Sequence, residues 1–409
     1  MTLIEELKLR ESYFDTTDNS IEEYLENNKV TFYLGCDPTG SSLHVGHLFT
    51  YIVMKRMESY SHHPILLVGG ATGLIGDPKM QGERKMLSIQ DVESNVISLK
   101  EQIHDLFGVD TIVNNYDWVS KLSIIEFLRD IGKEFNVSTM LNKDVVKSRL
   151  DIGISFTEFS YQILQSLDWY ELYKTHNCTV QIGGQDQWGN ITAGCDYIRK
   201  KCGVEAKVYG LTVPLILKSD GTKFGKSEDG TSIWLDRNRT SPYEFYQFWI
   251  NTQDSEVIKR LKQFTFLSLE DISSLEEEVK LNPEKRKAQK VLAFEMTKFV
   301  HGEEDAKKAE HISESLFSGD LDSLNADEIE MGFKDLKRAK GNQNILDTLL
   351  EVGLASSKRE AREFVLNGAI TIQGKKINDI NLILTNDLAK EGRFIILKRG
   401  KKKYALVCF

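Results

Sequence analysis

Three short runs, VTFYLG (30–35), PILLVGG (64–70) and CTVQIGG (178–184), are apolar along nearly their whole length and end in glycine. A strand with one wet face alternates apolar and polar residues, whereas a strand covered on both faces need not. Separated by stretches of helical spacing, such runs predict a parallel sheet between helices, with VDTIVNN (109–115) as one more strand. In open sheets of this kind, binding residues gather in the loops beyond the carboxyl ends of the strands. The segments that follow the runs are therefore the places to look for chemistry.

A chain of 409 residues is longer than one hydrophobic core usually sustains, about 250–300 residues. Its patterning suggests an α/β, Rossmann-like domain over 1–240, with a helical segment inserted near 116–170. A helical domain follows over 241–325, then a mixed linker at 326–342, then a small α+β domain over 343–409. Charge is uneven. The whole chain is at −9, yet residues 343–409 hold twelve Lys and Arg against seven Asp and Glu, a balance of +5 that leaves −14 for the rest. An acidic body with a basic tail fits a partner that touches the two parts differently. The five cysteines are scattered without a CxxC, which argues against a disulfide framework or a thiolate zinc site. No apolar run approaches the roughly 20 residues of a membrane span, and the first residues lack a signal-peptide core. A cytoplasmic protein without a membrane partner is the expectation.

After the first run comes CDPTGSSLHVGH (36–47), with His44 and His47 three apart. The spacing could serve a metal, but no Cys, Asp or Glu nearby completes a ligand set. Imidazoles at the start of a helix can instead donate to phosphate oxygens, beside the helix's own unpaired N–H groups. Gly46 between them would let a planar ring lie against backbone. Far downstream, LKSDGTKFGKS (217–227) sets Lys223 and Lys226 around Gly225, with Ser227 after them. The spacing is not that of a P-loop, and alone it reads equally well as a solvated turn. Together with the histidines it reads as a second clamp on a triphosphate.

HVGH (44–47) followed by KFGKS (223–227) resembles the two signatures of class I aminoacyl-tRNA synthetases. YLGCDPTGSSLHVGH, ISFTEFSYQILQSLDW and QIGGQDQWGNITAG narrow the resemblance to the bacterial-type tyrosyl-tRNA synthetases, and 343–409 resembles their closing S4-type RNA-binding domain. The resemblance implies that Tyr33 and Asp168 bind the substrate's phenolic hydroxyl. It implies that Asp77, Tyr161 and Gln165 hold its ammonium, with Gln187 near the carboxylate. The spacing is consistent with this: Tyr161, Gln165 and Asp168 fall on one face of a helix, either outward or lining a polar pocket. A buried carboxylate that accepts from the phenol would be left unpaired by phenylalanine.

By the same resemblance Gly35, Asp37, Gly46, Thr50, Gly183, Asp186 and Ser227 border ATP and the adenylate. Thr39, His44, His47, Lys223 and Lys226 would be the catalytic donors. The reaction implied is attack of the tyrosine carboxylate on the α-phosphate of ATP, with Mg²⁺ arriving on the triphosphate and no resident metal, then transfer to tRNA(Tyr). Family members are homodimers, and apolar positions in SKLSIIEFLRDIG (120–132) could form such a surface. Lys358, Arg359 and Arg362, spaced to share a helix face, would follow RNA phosphates. The sequence departs from the family after Asp77, where PKMQGERK is short and leaves contacts of Lys79 and Arg84 open, and at Gln185, where a small residue is usual. A tryptophan-specific relative, a small-molecule adenylyltransferase and an inactive RNA-binding descendant are the alternatives. Tyr33 with Asp168 disfavours the first, the tail the second, and both intact signatures the third.

Overall fold

The computed structural model describes the whole chain except residues 80, 81, 83–85, 218–220, 222, 223, 226–229, 335, 401 and 402 and the side chain of Asp144. It divides into two compact units. One comprises Met1–Asp236 and Ser255–Glu276, the other Arg237–Asp254 and Glu277–Phe409.

The first unit is built on six strands: β1 (Asp15–Thr16), β2 (Thr31–Cys36), β3 (His63–Val68), β4 (Ile112–Asn114), β5 (Cys178–Gly184) and β6 (Tyr209–Val213). Their order is β1-β6-β5-β2-β3-β4. All neighbours run parallel except the edge pair of β1 and β6. The apolar runs thus form the strands they suggest, buried on both faces: Phe32, Tyr33, Leu34, Ile65, Leu66, Val180 and Ile182 are all below 5 % exposed. From β2 the chain winds outward through β3 to β4, then crosses back to lay β5 against the other side of β2. The loops after β2 and β5 therefore part in opposite directions and open a crevice at the strands' carboxyl ends. Two details differ from the sequence reading. β1 and β6 escaped it, and only Ile112–Asn114 of 109–115 is strand.

Three helices, Pro242–Ile250, Lys287–His301 and Glu303–Ser318, pack on one another in the second unit. Its sheet runs β10-β9-β12-β13-β7, from β7 (Arg338–Lys340), β9 (Ile370–Ile372), β10 (Lys375–Lys376), β12 (Phe394–Arg399) and β13 (Lys403–Cys408). β8 (Gln343–Asn344) and β11 (Ile383–Leu384) form a separate pair. Residues 326–342, read above as a linker, are an integral part of this unit. Asn325 caps the helix Ala326–Gly332 reciprocally with Glu328. Ala326, Ile329 and Phe333 pack with Ile312 against Phe394, Ile396 and Leu406 of the sheet, and β7 adds to β13. Among the described residues no helix is long and apolar enough to cross a membrane.

Candidate active site

The crevice between the ends of β2 and β5 gathers most of the polar residues singled out in the sequence. Tyr33 is 1 % exposed on β2, and its hydroxyl has no hydrogen-bond partner among the described residues. Burial, then the nearby Asp168 charge, pushes its pKa well up. Asp168 lies on the helix Phe156–His176, which Ser155 caps by accepting from the Glu158 N–H. It is 2 % exposed and accepts at both oxygens, from Asn115 Nδ2 at 3.0 Å and Trp118 Nε1 at 2.8 Å. Burial outweighs these bonds and raises its carboxyl to about 7.

Asn115 belongs to a chain of hydrogen bonds that runs to the other end of the pocket. Its Nδ2 also donates to Thr72 Oγ1 at 3.0 Å, Thr72 donates to Asp37 Oδ1 at 2.8 Å, and the Tyr161 hydroxyl donates to Asp37 Oδ2 at 3.0 Å. Gly69 makes the crossing possible: a Cβ there would lie 2.2 Å from Thr72 Oγ1 and 2.4 Å from Asp37 Oδ1. Asp77 accepts from Gln187 Nε2 at 3.0 Å and Asn190 Nδ2 at 3.2 Å. Burial, aided by Asp37, raises it to about 6 against those bonds. Gln165 is half-buried one turn beyond Tyr161 on the same helix. Asn115, Trp118, Thr72 and Asn190 went unnoticed in the sequence. The NNYDW and GGATG segments that hold three of them do follow strand ends, and that position was the available signal.

His44 is the N-cap of the helix Val45–Ser59. Its Nδ1 accepts from the Gly46 N–H at 3.0 Å, and His47 Nδ1 accepts from the His44 N–H at 3.2 Å. The rings stack with centroids 3.8 Å apart. With Nδ1 accepting in both rings, a neutral imidazole carries its proton on Nε2. Burial, with His44 adding to it, lowers His47 to about 3, so it is neutral at pH 7. This corrects one expectation: the histidines consume the N–H of Gly46 and of the cap instead of leaving them to a phosphate.

Gly225 of the second signature lies directly on Gly46 of the first. Gly225, at φ +95°, sits where a Cβ would be 2.8 Å from the Gly46 nitrogen. Ile233 N–H donates to the Gly225 carbonyl at 3.0 Å, and Val45 N–H to the Ile233 carbonyl at 2.9 Å. Lys223, Lys226 and Ser227, like Arg84, lie outside the described residues. Thr39 is exposed in the turn after β2, near Gly35 at the strand's end, and Thr50 donates to the His47 carbonyl at 2.8 Å. Near the end of β5, Gly183 admits the Gln187 side chain, whose Cβ would be 2.9 Å from a Cβ at 183, and beyond the strand Asp186 is exposed. Cys36 accepts from the Tyr51 hydroxyl at 3.5 Å, and burial pushes its thiol up to about 11, too high for a nucleophile. No group of three or more His, Cys, Asp or Glu among the described residues is placed to hold a metal. Lys358, Arg359 and Arg362 are exposed on the helix Lys358–Leu366, with Lys358 paired to Asp347.

A parallel sheet whose switch point joins a histidine-capped helix to a KFGKS glycine is the catalytic architecture of class I aminoacyl-tRNA synthetases. Comparison with known proteins narrows this. The family described as class I tRNA synthetases (W and Y) matches residues 25–318, and the tyrosine–tRNA ligase SYY-like C-terminal domain matches 328–407. Tyrosine–tRNA ligase 2 of Bacillus cereus is 52 % identical over 417 residues, covering 100 % of this chain and 99 % of that protein. Tyrosine–tRNA ligase of Listeria monocytogenes is 51 % identical over 419 residues, covering 100 % of both. The crystal structure of a C-terminally truncated Aspergillus nidulans mitochondrial tyrosyl-tRNA synthetase is 30 % identical with a TM-score of 0.70, over 77 % of this chain and 94 % of that one. The chain belongs to the bacterial-type tyrosyl-tRNA synthetase family.

Proposed function

We propose that this crevice performs the family's reaction. The chain activates L-tyrosine with ATP to tyrosyl-adenylate and pyrophosphate, then transfers the tyrosyl group to the 3′-terminal ribose of tRNA(Tyr). The observation that carries the reading is the buried Tyr33 hydroxyl, unpartnered among the described residues, together with Asp168, whose two oxygens are held in place by Asn115 and Trp118. A phenol entering there satisfies both polar groups, and a plain benzyl ring satisfies neither. Asp77, Tyr161 and Gln165 are suited to the ammonium at the other end, with Gln187 close to the carboxylate.

In the first step a tyrosine carboxylate oxygen bonds to the α-phosphorus while the bond to pyrophosphate breaks. Negative charge grows on the phosphoryl oxygens, so the demand is for donors already in position. The Nε2–H groups of His44 and His47, the exposed Thr39 hydroxyl and the ammonium groups of Lys223 and Lys226 fill that role. Gly35, Asp37, Gly46, Thr50, Gly183, Asp186 and Ser227 border the nucleotide. Mg²⁺ enters on the triphosphate and neutralises part of its charge. In the second step a ribose hydroxyl attacks the adenylate carbonyl, loses its proton, and AMP leaves.

The deciding experiment is ATP–pyrophosphate exchange on the purified chain with tyrosine, phenylalanine or tryptophan and no RNA. Exchange that requires tyrosine supports the reading; exchange with tryptophan overturns the pocket assignment. The exposed Lys358, Arg359 and Arg362 are assigned to RNA, so replacing all three by alanine should spare exchange and weaken aminoacylation.

The two raised carboxyls set a pH dependence. A bound ammonium near Asp77 and a phenol donating to Asp168 favour the ionised forms, so tyrosine binding lowers both pKa values and releases protons. The kcat/KM for tyrosine is expected to rise as pH increases through about 6 to 7. Calorimetry at pH 6.5 in two buffers of different ionisation enthalpy should detect the release. Equal heats in both would show the carboxyls already ionised in the free enzyme.

A homodimer is part of the same proposal. Ile124, Ile125 and Leu128 are more than half exposed within the segment between β4 and the helix Phe156–His176, an apolar strip suited to a second copy. Leu128→Glu should shift sedimentation towards the monomer, and an undiminished dimer would place the interface elsewhere.

A further inference from the structure

Arg260, on the helix Asp254–Phe264, is 2 % exposed. Burying a guanidinium is costly, and an apolar side chain of similar size would fill the same space without that cost. Its partners indicate what the charge does there. Nη2 donates to Glu256 Oε1 at 2.8 Å and to the backbone carbonyl of Leu217 at 2.5 Å, and Nη1 donates to Gln263 Oε1 at 3.1 Å. The guanidinium carbon lies 4.5 Å from the centroid of the Phe224 ring. Burial pulls its pKa below the usual arginine value, with Glu256 opposing.

Leu217 and Phe224 are the two ends of a stretch that runs into KFGKS, of which Phe224 is the second residue. The Phe224 N–H donates to the Ile216 carbonyl at 3.2 Å, which ties those ends together. The Phe224 ring also meets Phe264 at 5.7 Å, and Phe264 meets Phe49 at 5.4 Å, on the helix that His44 caps. Phe224 and Gly225 stand between Lys223 and Lys226 in the sequence, and Gly225 rests on Gly46. One planar cation thus grips the stretch at both ends, by a carbonyl and by an aromatic face, as a lysine or an aliphatic side chain cannot do together.

We infer that Arg260 is a positioning residue for the adenylation step: it seats Phe224–Gly225 on Gly46 and so sets where the two flanking lysines begin. The inference rests on the assignment of Lys223 and Lys226 to the triphosphate. None of the residues it touches belongs to the tyrosine pocket, so its effect separates the two substrates.

The test is pyrophosphate exchange by Arg260→Met, which keeps the volume, and Arg260→Lys, which keeps the charge over the ring. Rates are normalised to active sites by the burst of adenylate formation. Arg260→Met is expected to raise KM for ATP and lower kcat, together by about tenfold or more, with KM for tyrosine unchanged. Arg260→Lys should recover part of that loss. Unchanged ATP kinetics in Arg260→Met, or KM values for ATP and tyrosine rising together with a lowered Tm, would overturn the inference. Lys223→Ala is the companion measurement. If it leaves exchange intact, the lysine assignment itself fails; if it collapses exchange while Arg260→Met does not, only the role of Arg260 falls.

Discussion

Asp168→Asn is expected to lower kcat/KM for tyrosine in pyrophosphate exchange by about 10²–10³-fold, while KM for ATP changes little. The reason is the count of donors around it. The carboxylate accepts from Asn115 Nδ2 and Trp118 Nε1, one on each oxygen, and both donors are fixed in a buried setting. An asparagine amide has one oxygen, so whichever way it turns, its NH₂ faces one of those N–H groups. Losing the charge-assisted bond to the phenol costs about 1.5–3 kcal/mol, and leaving the bound phenol's buried O–H facing an amide NH₂ costs about 1–3 kcal/mol more. The unpaired Asn115 or Trp118 donor is already present in the free variant and lowers its stability instead. Together these amount to about 3–4 kcal/mol, which is the stated loss in rate. The preference for tyrosine over phenylalanine should narrow as well, because the amide no longer rewards the phenol. Exchange kinetics with both amino acids check this. A variant that keeps its tyrosine kcat/KM within about threefold would show that the phenol is read elsewhere, with Tyr33 as the remaining candidate.

Much of this site was legible because its parts are local. Unbroken apolar runs announce buried parallel strands, and the loops after them hold Asp37, His44, Asp77 and Gln187. Spacing puts Tyr161, Gln165 and Asp168 on one face of a helix, and the family resemblance, not the spacing, turned that face to a pocket. What sequence could not show are contacts decided by strand order. Thr72 meets Asp37, and Asn115 meets Asp168, only because β2 lies between β3 and β5 with β4 beyond. Nothing in NNYDW by itself separates a strand-end asparagine that holds a buried carboxylate from one that caps a turn. The histidines illustrate a second limit. Their place at a helix start could be read, yet whether Nδ1 faces backbone or ligand depends on a rotamer.

The error over 326–342 has a different cause. β7 is an edge strand with one buried residue, Ala339, between exposed Arg338 and Lys340, so its composition looks like solvated linker. The reciprocal cap of Asn325 and Glu328 was present in the sequence as NADE and was passed over.

Gly225→Ala should damage the adenylation step without touching the tyrosine pocket. Two effects combine there. At φ +95° any side chain is strained, about 1–3 kcal/mol for a non-glycine residue held in a sparsely populated region. In addition the new methyl would lie 2.8 Å from the Gly46 nitrogen and 3.4 Å from its Cα. Neither neighbour is the end of a flexible side chain. Gly46 is in the first turn of the helix capped by His44, and its N–H is already engaged by His44 Nδ1. The loop must therefore move off the histidine signature, taking Gly225 from its bond with Ile233. Adenylation depends on both signatures meeting the same phosphates, so kcat for exchange is expected to fall by about 10²-fold. Tyrosine binding at equilibrium should be unchanged, since the pocket shares no residue with this contact. Gly221→Ala supplies the control. It also has positive φ, +79°, but among the described residues nothing lies within 4 Å of where its Cβ would stand, so it feels the backbone strain without the collision with Gly46. If the two alanine variants slow exchange equally, strain in the loop accounts for the loss. A much slower Gly225→Ala, with tyrosine affinity retained, would show that the seating of one signature on the other is what the adenylation step requires.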